Sequence, residues 1–209
     1  CMCVPFSKTM RGAVIPNTVT KALHTEKVFT PELDGFVIEE YPMYSTISDQ
    51  VKTIRSFGRP VILVDDILHK GYRLRALSPV FSRNDLKIRK IITGIMSGQG
   101  KDLMTVQGRE AESAYFIPDL RAWFVSSTMY PFIGGDGVRS EEKTEASLIP
   151  SINLVLPFAA PGFLRDADRK SVYDLSRVCL TNACRIFEAV EAEYQSIFER
   201  KLTVRKLSD

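Results

Sequence analysis

Val61-Ile62-Leu63-Val64 is apolar at every position and runs straight into two acids, Asp65-Asp66. A strand with one wet face alternates between apolar and polar residues. A short β-branched run without alternation is covered on both faces, so it belongs in the middle of a parallel sheet. Gly58-Arg59-Pro60 before it and Gly71 after it bound the segment. The chain around it follows the same plan. Residues 2–6, 36–40, 88–96 and 113–117 read as strands, and residues 18–27, 48–57, 72–81 and 98–107 as helices, with Ser48 the cap of the second helix. Strand and helix alternate, which predicts an α/β fold with a doubly wound parallel sheet.

Beyond Pro118 the pattern changes to aromatic and glycine-rich chain, in which residues 133–138 read mostly as a turn. A long helix over residues 171–202 follows, free of Gly and Pro, with Val172, Leu175, Cys179, Ile186, Val190 and Ile197 on one face. The expected organisation is an α/β core over residues 1–125, then a hood and a helical C-terminal extension over residues 126–209. A helix of that length bends, splits or packs against a second copy, so a homo-oligomer through it is one expectation.

Composition narrows the partners. Lys and Arg exceed Asp and Glu by 28 to 25, a formal charge of +3 that singles out neither nucleic acid nor an anionic membrane. The four cysteines, Cys1, Cys3, Cys179 and Cys184, form two close pairs, too few for a disulfide scaffold, which points to a reducing cytoplasm. The most apolar stretch, residues 152–164, contains Pro157 and Pro161 and falls short of the ~20 residues of a membrane helix. No signal peptide is read at the start. The chain begins at Cys1, and a piece of a longer polypeptide is expected.

The chemistry is expected straight after Val64, where the apolar run ends, because ligands of open α/β sheets bind beyond the carboxyl ends of the strands. Adjacent carboxylates there are costly to desolvate unless they meet hydroxyls or a divalent cation. Gly71, closing a tight loop at a helix start, offers backbone N–H groups and the positive end of a helix dipole to a phosphate. Hydroxyls beside a phosphate describe a ribose 5-phosphate. Upstream, Gly12 permits close backbone approach to an anion and Arg11 can pair with it.

Val61 to Arg73 resembles the 13-residue ribose-phosphate motif of the type I phosphoribosyltransferases. Met10-Arg11-Gly12-Ala13-Val14-Ile15-Pro16-Asn17-Thr18-Val19 looks like that family's pyrophosphate loop, and Ile117-Pro118-Asp119 is similar to the segment after its last core strand. The resemblance covers residues 4–125. It implies a phosphoribosyltransferase fold that binds phosphoribosyl pyrophosphate (PRPP), with Mg²⁺ carried on the pyrophosphate and ligated directly by no side chain. It also implies transfer of ribose 5-phosphate to a nitrogenous base. Asp65 and Asp66 would hold the ribose hydroxyls and His69 would stand where a general base stands. Lys70, Gly71, Tyr72 and Arg73 would hold the 5-phosphate, Arg11 and Gly12 the pyrophosphate, and Trp123 and Phe124 would stack on the base. The chain departs from the motif at Lys70 and Arg73, where the family has small hydroxyl residues. The alternative reading is a non-catalytic nucleotide-sensing or partner-binding domain on the same fold, within a larger nucleotide-metabolism polypeptide. In either reading the partner is a small nucleotide or PRPP.

Overall fold

The computed structural model describes residues 1–6, 18–31, 35–120, 122–125, 132–135 and 166–203. The chain divides into two compact units, Cys1–Thr30 with Phe36–Leu120, and Pro31–Gly35 with Arg121–Asp209.

The first unit is built on a five-stranded sheet. Its strands are β1 (Met2–Pro5), β2 (Val19–Thr20), β5 (Val61–Leu68), β6 (Ile88–Ser97) and β7 (Ala111–Ile117). They lie in the order β2-β1-β5-β6-β7, and every pairing is parallel. The apolar run at residues 61–64 sits between β1 and β6, as its lack of alternation requires. Three helices join the strands, α1 (Ile47–Ser56), α2 (Tyr72–Arg83) and α3 (Gly98–Val106). Val51 and Ile54 of α1 and Leu74, Leu77 and Phe81 of α2 pack with Met2, Val4, Val61, Leu63 and Ile91 in one core. The architecture is therefore α/β with a parallel sheet.

Two details of this unit differ from expectation. Residues 18–27 are not a helix. They contribute β2, then the first arm of an antiparallel hairpin made by β3 (Thr25–Phe29) and β4 (Phe36–Glu40). The β-branched Val19, Thr20, Thr25 and Val28 lose rotamer freedom in a helix and fit the pleat. His24 is consequently not helical; its ring stacks on Tyr44 with centroids 3.9 Å apart, while its backbone N–H donates to Gln50 Oε1 at 2.8 Å. The cap of α1 is Thr46 rather than Ser48: its hydroxyl accepts from the Asp49 N–H at 3.2 Å and donates to the Asp49 carboxylate at 2.8 Å.

In the second unit, β8 (Ala122–Val125) pairs antiparallel with β9 (Phe132–Gly135). Residues 133–135 are thus strand rather than turn, since pairing with β8 supplies the partners a lone Gly-Gly run lacks; residues 136–138 lie outside the described residues. The helix α4 (Arg169–Phe198) is continuous, capped by Asp168 and closed by Glu199 at φ 53°. No described helix is long and apolar enough to cross a membrane.

Candidate functional site at the carboxyl end of β5

The chain leaves β1 for β2 on one side and returns to β5 on the other, so strand order reverses between β1 and β5. Such a switch point opens a crevice at the carboxyl ends of the two strands. There β5 outruns its neighbour: β1 pairs only as far as Val64, whereas β6 continues beside Asp65, Ile67 and Leu68. The two acids are therefore strand residues, not loop residues, with one flank on β6.

Strand alternation alone would send Asp65 and Asp66 to opposite faces. Instead their carboxyl groups interact, and the backbone N–H of Asp66 donates to Asp65 Oδ1 at 3.1 Å. Arg73, one residue into α2, donates to the same oxygen at 2.9 Å. The Asp65 side chain is 13% exposed and that of Arg73 27%. Burial drives the Asp65 carboxyl up to about 7; Arg73 opposes the shift and Asp66 adds to it. Asp66 itself is exposed, with Oδ1 accepting from the Ile67 N–H at 2.9 Å.

The turn from β5 into α2 is His69-Lys70-Gly71. Gly71 adopts φ 66°, a conformation L side chains rarely take, and a Cβ there would also collide with the Leu103 side chain. Among the described residues no side chain caps α2, and its first turn carries no acid. Lys70 and Arg73 stand there instead, so backbone N–H groups, helix dipole and two cations all favour an anion. Tyr72 opens α2 and meets Phe36 edge to face, centroids 5.5 Å apart. His69 is only 8% exposed, and its carbonyl accepts from Ser97 Oγ at 3.1 Å. The structure thus places His69 under the loop, whereas Lys70, Gly71, Tyr72 and Arg73 are partly open.

One member of the cluster is not suggested by the sequence. Lys27, on β3, comes close enough to Arg73, Asp65 and Asp66 to couple with them electrostatically, and its ammonium lies 5.2 Å from the Phe36 ring centroid. Burial, reinforced by Arg73, lowers it to about 8, while the two acids pull the other way. A helix assignment for residues 18–27 hides this lysine, and only the pairing of Lys27 with Ile38 in the hairpin brings it into view.

Arg11 and Gly12 lie outside the described residues. Trp123 and Phe124 are on β8, opposite Gly134 and Ile133, in the second unit. Among the described residues no three His, Cys, Asp or Glu side chains are grouped to hold a metal ion. Comparison with models of known protein families and with curated proteins finds no match.

Proposed function

We propose that the carboxyl end of β5 binds the ribose 5-phosphate portion of PRPP or of a nucleotide, on a doubly wound sheet of the type I phosphoribosyltransferase kind. The observation that carries this reading is the juxtaposition of interacting carboxyls, Asp65 and Asp66, with an uncapped helix start at Gly71 bearing Lys70 and Arg73. Hydroxyl donors satisfy the first group and a phosphate the second. Tyr72 would line the phosphate turn, Lys27 would add a cation from the hairpin, and His69 would hold the loop from beneath. Arg11 and Gly12 would approach the pyrophosphate. Carried in on the pyrophosphate, Mg²⁺ would supply charge neutralisation. Transfer to a base would then rest on holding ribose, phosphate and leaving group in line.

The Asp65–Arg73 pair favours a second reading. A carboxylate already bound at 2.9 Å by a guanidinium must exchange that partner to receive a hydroxyl. Such an arrangement suits a domain that binds and releases nucleotide without turnover, as in a nucleotide sensor.

Calorimetry with PRPP and Mg²⁺, nucleoside 5′-monophosphates and inorganic phosphate tests the site. Loss of one charge-assisted hydroxyl contact in Asp66→Asn should weaken PRPP or nucleotide about ten- to a hundredfold while leaving inorganic phosphate unchanged. Sugar phosphates that bind no tighter than inorganic phosphate would defeat the proposal. Base-dependent pyrophosphate release then separates the two readings: turnover with any nitrogenous base means an enzyme, tight binding without release a sensor.

A further inference from the structure

Helix α4 has two stripes. Ser176, Cys179 and Ala183 are buried. About 80° round the helix lies another stripe, at positions 173, 177, 180, 184, 187, 191, 194 and 198, spaced alternately by four and three. An alternation of four and three is the 3.5-residue repeat of helices that pair. Its apolar members are Tyr173, Leu180, Phe187, Tyr194 and Phe198. Tyr173, Leu180 and Phe198 are each about half-exposed, and beyond Ala183 no residue of α4 is buried among the described residues. The rings of Tyr194 and Phe198 meet at a tilt, 4.6 Å between centroids, forming an aromatic pad toward the C-terminal end of the helix.

Charge says what this stripe faces. Its only ionised members are Arg177, toward the N-terminus, and Glu191, toward the C-terminus, both exposed. The helix as a whole is polarised the same way: Arg169, Lys170, Arg177 and Arg185, with Asp174 the one acid among them, precede Glu188, Glu191 and Glu193. That order opposes the helix's own dipole, which favours acids at the start and bases at the end. It complements a second identical helix running the other way.

We propose that α4 is a homodimerisation element, pairing antiparallel with α4 of a second copy of this chain. The crossing falls near residues 185–186. Tyr173 of each copy then packs on Phe198 of the other, and Arg177 meets Tyr194 and Glu191. Parallel pairing would set Arg177 against Arg177 and Glu191 against Glu191, which like-charge repulsion disfavours. Phe187 and Leu180 fill the layers between.

Sedimentation of the full chain over a range of concentrations is the test. The wild type should form dimers. Glu191→Arg or Arg177→Glu alone should weaken the dimer about tenfold, because two symmetry-related pairs turn from attraction to repulsion. The combined exchange, Arg177→Glu with Glu191→Arg, should restore it. Circular dichroism of each variant checks that α4 is intact, and the rescue cannot come from a variant that fails to fold. A monomeric wild type would mean that α4 is covered by its own chain and would overturn the proposal. Equal dimerisation by all four proteins would place the interface elsewhere and overturn it too. A parallel pairing would show itself in a Tyr173→Cys variant that cross-links readily to its own copy, and would refute the antiparallel geometry.

Discussion

Two strand-to-helix junctions stand side by side at the same end of the sheet. Where β6 meets α3 there is no loop at all: Ser97 ends the strand, Gly98 starts the helix, and Ser97 Oγ accepts from the Gly100 N–H at 3.0 Å. Where β5 meets α2 a three-residue turn ends in left-handed Gly71, and among the described residues no side chain caps the helix. The first junction satisfies one of its helix-start donors with its own side chain; the second has no such side chain among the described residues. The closed junction also supports the open one, since Ser97 Oγ donates to the His69 carbonyl and Leu103 of α3 packs where a side chain on Gly71 would go. The turn at Gly71 is thus held in shape by the neighbouring junction.

The largest effect should come from breaking the support. A Cβ on Gly100 would collide with the carbonyl oxygen of Leu68, which as backbone in β5 cannot move aside. Gly100→Ala should therefore cost about 3 kcal/mol or more in a urea unfolding series. A loss below ~1 kcal/mol would show that α3 can shift without disturbing β5, and the two junctions would then be independent.

Next is Arg73→Ala, within the open junction itself. It leaves Asp65 buried beside Asp66 with its cationic partner gone, so about 2 kcal/mol should be lost near pH 8. In the same variant an NMR titration should find the Asp65 carboxyl above its native value of about 7, because the cation that opposes burial is absent. An unchanged titration would mean that Arg73 does not govern this acid.

How far these junctions were legible in sequence follows from range. A fully apolar run that meets Asp65-Asp66 and then Gly71 is a local pattern, and strand, turn and helix start all follow from it. The Ser97 cap depends on the residue at which β6 stops, so a strand read as ending at Met96 passes over it. Lys27 was illegible for a stronger reason. Residues 18–27 carry apolar residues at spacings a helix can use, and only pairing with residues 36–40, across the sequence, decides for strand. Likewise nothing in the acids themselves announces that Arg73 would occupy Asp65, because that contact depends on the pitch of α2.

A smaller loss is expected from Ser97→Ala, which removes the cap of α3 and the donor to His69 at once. About 1 kcal/mol should go, as for other serine caps. The comparison sharpens if ligand affinity at the open turn falls as well, measured by calorimetry with a nucleoside 5′-monophosphate. Stability lost with affinity intact would restrict Ser97 to its own helix.

The last expectation concerns titration, because the open junction carries ionisable groups and the closed one carries none. Asp65 is raised in the folded state to about 7, so between pH ~4 and 7 the native protein holds a proton that the unfolded chain has released, and stability falls as pH rises through that window. Lys27 is lowered to about 8, so from pH 8 to ~10.5 the unfolded chain holds the extra proton, and stability rises with pH. The two contributions together place a shallow minimum between about pH 7 and 8. Lys27→Met should raise stability at pH 7.5, since the burial that lowers Lys27 to about 8 disfavours its ammonium even with the two acids beside it. The same change should abolish the alkaline rise while keeping the fall between pH 4 and 7. An anion bound at the turn stabilises protonated Lys27, so saturating phosphate should flatten the alkaline rise in the wild type and do nothing to Lys27→Met. If phosphate flattens both equally, the bound anion is held by Lys70 and Arg73 alone, and the hairpin lysine belongs to the fold rather than to the site.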